Sequence, residues 1–171
     1  MSTEYIKFKN LKIDTTPIGF SIEKNRPYFC TPIGATILGW DNGIHYCFID
    51  GFDEMVFAVN PETLCEHYVY PLSKNFSDFL SLLASVKNTN TLQQIILWNK
   101  QEYTNFITSK EEKDYCSRPE VIKVLKQLQS ELSVNEMAKP FEYVKELQSN
   151  FQYSKIRFSD EFYNVTGIEK P

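Results

Sequence analysis

Between Ala35 and Val59 the chain carries three short apolar runs separated by tight-turn signals, and this spacing constrains the fold more than any other feature. Ala35 to Trp40 is β-prone and stops at Asp41-Asn42-Gly43, whose Asn-Gly pair readily takes the positive φ that a hairpin turn needs. Ile44 to Ile49 follows with almost no charge, and Asp50-Gly51 can reverse the chain again. Met55 to Val59 repeats the same character and stops at Asn60-Pro61. Connections this short leave room only for antiparallel neighbours, so a meander is predicted. A fourth strand is expected around His67 to Tyr70, ending at Pro71, which has no N–H to donate to a ladder. The second and third runs are apolar at both alternating positions, so the central strands need cover on both faces.

Helical signals gather after this meander. Asn75 is a good N-cap, Asp78 suits the positive end of a helix dipole, and Phe76, Phe79, Leu80, Leu83 and Val86 fall at helical spacing. Thr91 opens a second helical stretch, Leu92 to Trp98, and Gln101 to Thr108 makes a third. Beyond the charged patch Lys110 to Asp114, Ser117-Arg118-Pro119 reads as a helix start, with Val121, Val124, Leu125, Leu128 and Leu132 on one face. Pro140 starts another, with Phe141, Val144 and Leu147 inward. The stretch up to Asn25 reads as one peripheral strand or a short helix, and the aromatic tail from Phe151 to Val165 as a returning strand. Helices that follow a meander, instead of alternating with strands, indicate an α+β fold: an antiparallel sheet backed by helices, with a helical C-terminal extension. At 171 residues a single domain is expected, with its core at about 27–110 and the extension at about 115–171.

Composition narrows the function. Eighteen basic against twenty-two acidic residues give a net charge of −4, a field that repels a polyanion, so direct nucleic-acid binding is not expected and a basic protein is the more natural partner. No window approaches the length of apolar chain that spans a bilayer, and the first residues lack the continuous apolar stretch of a signal peptide, so no membrane association and a cytoplasmic location are expected. Four cysteines with no CxxC pair do not make a disulfide scaffold.

Templates for catalysis find no local support: there is no GxGxxG, no GxxxxGK[ST], no GxSxG, no HExxH and no EF-hand loop. His45 with Cys47, and Cys65 with His67, are pairs two residues apart that would share a strand face and could together clasp zinc. Their spacing lacks the knuckle turns of a structural zinc site, and each lies in a strand-like run where a buried thiol or packed ring is ordinary, so no cofactor or metal is expected. Asp41, Asp50, Asp53 and Glu54 cluster at the predicted turns, at opposite ends of the middle strand. Trp40, Tyr46, Phe48, Phe52 and Phe57 could stack bases or sugars, but no Lys or Arg occurs from Thr31 to Tyr70, and core packing accounts for them better.

Taken in order, Gly39-Trp40, Asn42-Gly43, His45, Asp50-Gly51-Phe52, Glu54 and Asn60-Pro61, followed by Tyr68 to Pro71 and Asn75 to Leu80, make a series that resembles the SUKH superfamily. That group includes bacterial immunity proteins and fungal cell-wall assembly regulators. The likeness spans about Pro32 to Phe106 and resides in the whole series. It implies an α+β domain without catalytic apparatus. Its implied activity is stoichiometric binding of a protein partner, a cognate polymorphic toxin such as a nuclease, with a regulatory or scaffold module as the alternative and an enzymatic or metal-binding use of His45, Cys47, Cys65 and His67 as the remote one. The contact residues expected on this reading are Asp41, Asp50, Asp53, Glu54, Trp40 and Phe52.

Overall fold

Short connections and alternating side chains build one antiparallel sheet whose spatial order is its sequence order: β1 (Ala35–Asp41), β2 (Ile44–Ile49), β3 (Val56–Val59) and β4 (Val69–Ser73). The computed structural model describes residues 2–22, 26–62 and 66–170. Asn42 and Gly43 both take positive φ, 33° and 95°, and close the β1–β2 hairpin at the Asp41–Ile44 pair. The fourth strand differs from the sequence expectation. It starts two residues later and runs through Pro71, which pairs with Phe57. As an edge strand, β4 has a side without ladder partners and so accommodates a proline.

Alternation sorts the sheet residues onto two faces, both dry. The first face presents Leu38, Tyr46, Phe48, Ala58 and Leu72, and the second presents Cys47, Ile49, Phe57, Val59 and Val69. All six residues of β2 are buried. Over the first face lie α1 (Thr3–Asn10), α2 (Phe76–Val86), α3 (Thr89–Leu97), α6 (Pro119–Leu132) and α7 (Pro140–Ser149), whose buried apolar residues join the sheet in one continuous cluster. Over the second face lie Cys30 and the C-terminal segment, including Ile156 and, on α8 (Asp160–Thr166), Phe162. Residues beyond 115 thus complete the core on both sides of the sheet.

Helix ends follow the capping rules. The Asn75 side chain accepts the Asp78 N–H at 2.8 Å to start α2. Asn99 and Glu102 form a reciprocal capping box at α4 (Lys100–Thr108). The charged stretch after it is itself a helix, α5 (Lys110–Cys116), because Ser109 accepts the Glu112 N–H and Glu111 and Glu112 suit the first turn. At the two ends of the chain, the helix alternative holds for the N-terminal stretch and the returning strand expected of the tail is corrected. The N-terminal stretch supplies a helix, anchored by Tyr5 and Phe8. The aromatic tail returns as a 3-10 turn (Tyr153–Lys155) and α8, with acidic residues in the first turn of α8 and Gly167 ending it in the left-handed conformation.

β1 carries a bulge at Leu38, since Ile37 pairs with Cys47 and Gly39 with Tyr46. The Phe20 ring occupies the space above Gly39, packed against Tyr46 and Phe79 at 5.7 Å between centroids. A Cβ at Gly39 would stand 2.4 Å from the Phe20 ring. Gly39→Ala is therefore expected to destabilise the fold by about 1–3 kcal/mol, seen as a lower urea midpoint with an unchanged slope.

Candidate functional site

The turn between β2 and β3 is the most sharply acidic projection of the sheet. Asp50, Asp53 and Glu54 are all exposed on it, and no ion pair among the described residues involves them. The turn is stiff. Gly51 and Asp53 sit at φ 89° and 52°, the Phe52 and Met55 amides donate to the Ile49 and Phe52 carbonyls at 3.1 Å, and the Asp50 amide donates to Gly34. Phe52 is half-buried, its ring 5.3 Å from Phe57 and 5.5 Å from Phe151, so it anchors the turn to the second face. Exposed Ile33 lies beside it in the chain segment that meets Asp50. Fixed carboxylates with a neighbouring apolar side chain can meet a cationic protein surface without first being ordered.

At the other end of the sheet, Trp40 and Asp41 are interior residues. Trp40 meets Tyr28 and His45 edge-on at 5.4 and 4.9 Å. Asp41 accepts a hydrogen bond from the Gln93 side chain, and the Thr89 hydroxyl lies against it; burial raises its pKa above the ordinary aspartate value, and these two contacts partly offset the rise. A turn aspartate reads as exposed in sequence, but α3 packs its first turns against this end of β1 and withdraws Asp41 from water, while Tyr28 and His45 cover Trp40 on the opposite face. Of the six contact residues expected from sequence, Asp50, Asp53 and Glu54 are on the surface together, Phe52 supports them, and Trp40 and Asp41 stand apart in the interior.

Beside Asp41 opens a polar cleft of about 500 Å³, walled in part by Asn42, Asn88, Thr89, Tyr115 and Arg118. Its second buried carboxylate, Glu112, is one that sequence reasoning missed, because a glutamate in a charged run reads as solvated. One oxygen, Oε1, accepts from Asn88 Nδ2 at 2.7 Å, Thr91 Oγ1 at 2.5 Å and Cys116 Sγ at 3.3 Å. Asn88 meanwhile caps α3 through its own Oδ1. The network ties α5 to the start of α3, and of the three carboxylates that line the cleft Asp41 and Glu112 are already engaged while Glu111 is exposed.

His45 and Cys47 do share a face of β2, as their spacing predicts. His67 lies in the loop before β4 rather than on a strand, its ring stacked 3.6 Å from Tyr153. Cys65 falls outside the described residues. Among those described, no three His, Cys, Asp or Glu side chains come together as a metal-holding group. Burial pushes the Cys30 thiol up to about 12 and Cys47 higher still, which keeps both protonated and poorly nucleophilic. Cys116 is pushed up to about 11 by burial and by Glu112. His45 is fully buried, with Nε2 2.8 Å from the Thr31 hydroxyl and Nδ1 without a partner; desolvation depresses its pKa to about 4.

No helix among the described residues is long and apolar enough to cross a membrane. Comparison with known proteins finds no matching family model, no matching curated protein and no matching solved structure.

Two outcomes follow from these buried polar groups. Between pH 6.5 and about 4 the unfolded chain binds a proton at His45 that the folded chain refuses, so stability falls as pH drops through this window, on the order of 2–3 kcal/mol in all. Asp41, whose pKa is raised, contributes with the opposite sign above 3.8 in both proteins, so the quantity to measure is the stability of the parent minus that of His45→Asn, which should fall as pH drops through this window. Glu112→Ala strands the Asn88 and Thr91 donors and should cost about 2–3 kcal/mol in chemical denaturation, while Glu112→Gln, which keeps an acceptor, should cost less.

Proposed function

We propose that this chain is a non-catalytic binding protein that holds a basic protein partner stoichiometrically through the β2–β3 turn, and that it acts as an immunity protein of the SUKH type against a cognate toxin. The observation that carries this reading is the set of exposed, unpaired carboxylates Asp50, Asp53 and Glu54 on one stiff turn, inside a segment without a single Lys or Arg from Thr31 to Tyr70. A nuclease toxin needs a basic surface to hold its substrate, and an acidic surface of complementary shape occludes it. The antiparallel meander followed by the Asn75-capped helix supports the same reading, because the resemblance to the SUKH superfamily resides in those segments.

Electrostatic attraction of this kind acts mainly on the rate of encounter and weakens as salt screens it. The test is co-purification with the product of the adjacent gene, followed by association kinetics of the triple variant Asp50→Lys, Asp53→Lys, Glu54→Lys. Association at low ionic strength should slow by about tenfold or more, and the difference from the parent should shrink as salt rises. Equal association rates at low salt would remove the acidic turn from the interface.

A further inference from the structure

At the sheet end away from the acidic turn, the loop before β4 and the C-terminal segment enclose a groove of about 370 Å³. Its walls are aromatic: Tyr68, Tyr153, Phe158, Phe162 and Tyr163 contribute to them, and Ile156 contributes to the lining. The rings are held by one another. Phe158 and Phe162 stack at 4.0 Å, Tyr68 meets Phe162 edge-on at 5.3 Å, and His67 stacks on Tyr153. Two carboxylates, Glu66 and Glu169, also line the groove; both are exposed and neither takes part in an ion pair among the described residues. Burial, together with the charges of Tyr70 and Glu66, pushes the Tyr153 phenol up to about 12. The neighbouring cations are directed elsewhere. Lys170 is held by Asp160 at 2.6 Å, and Lys155 and Arg157 alternate with the lining residues Ser154, Ile156 and Phe158 without lining the groove themselves.

Aromatic rings and unpaired carboxylates that line one concavity favour an occupant that is apolar in shape and positive in charge. A groove of this volume is of the size that takes a small molecule. We propose that it is a binding site for a small organic cation bearing a methylated ammonium group, with the rings supplying cation–π contacts and Glu66 and Glu169 supplying the counter-charge. The site shares no residue with the β2–β3 turn, so its failure would leave the partner-binding reading intact.

The test is an NMR titration of the full chain with choline and with its uncharged isostere, in which a tert-butyl group replaces the trimethylammonium. Choline should saturably shift resonances of Tyr68, Tyr153, Phe158 and Phe162 and bind about tenfold more tightly than the isostere. The exposed double variant Glu66→Gln, Glu169→Gln should keep its fold and lose most of that preference. Equal affinity for choline and the isostere in the parent chain would show an apolar hollow with no selectivity for charge and overturn the proposal. Shifts that do not saturate, or that fall elsewhere, would overturn it too. If these resonances respond to a lysine-rich peptide and not to choline, the groove docks protein and the small-cation assignment falls.

Discussion

The whole arrangement depends on β2 being buried along its entire length and on both faces. A strand in that position cannot shed its side chains into water on either side, and each large apolar residue that it buries contributes about 1.5–3 kcal/mol only while its cover is in place. The first face is covered by helices from both ends of the chain, Tyr5 and Phe8 at the start and Val124 and Val144 late in it. The second is covered by Cys30 and the segment running from Phe151 to Phe162. Neither terminal region is an appendage, because the first face needs helices from both and the second needs the C-terminal segment.

The strands were legible in the sequence because their signals are local: an Asn-Gly turn, an Asp-Gly turn and apolar runs of the right length. The same holds for α2, α6 and α7, which begin at an Asn cap or at a proline and keep helical spacing. What was not legible is set by tertiary position. Pro71 marks the end of a strand unless the strand is at an edge, which only the sheet order reveals. The segment Lys110 to Asp114 looks like a solvated break until Ser109 is seen capping it. Asp50, Asp53 and Glu54 were recognisable as a turn cluster, yet nothing local separates them from Asp41, whose burial comes from α3 meeting the end of β1. Glu112 was invisible for a similar reason, since its partners lie 21 and 24 residues away.

The carboxylates consequently divide into two kinds with different physics. Asp41 and Glu112 are withdrawn from water and held by amide and hydroxyl donors, so they fix where β1, α3 and α5 meet. Asp50, Asp53 and Glu54 are held by backbone turns and keep their charge available. A net charge of −4 is modest for a chain of this length, but the β2–β3 turn gathers three like charges within a forty-residue stretch of sequence that has no Lys or Arg. Such a cluster is tolerated because water solvates each member, and a cationic surface would relieve their mutual repulsion.

The late cover on the second face also sets an order for biosynthesis. As the chain leaves the ribosome, the meander and the first-face helix α2 emerge well before Phe162, so Cys47, Phe57 and Val59 have only the Tyr28 to Cys30 part of their roof while some hundred further residues are being made. Over that interval the nascent sheet offers an open apolar side, the kind of surface that chaperones shield and that aggregates when left alone.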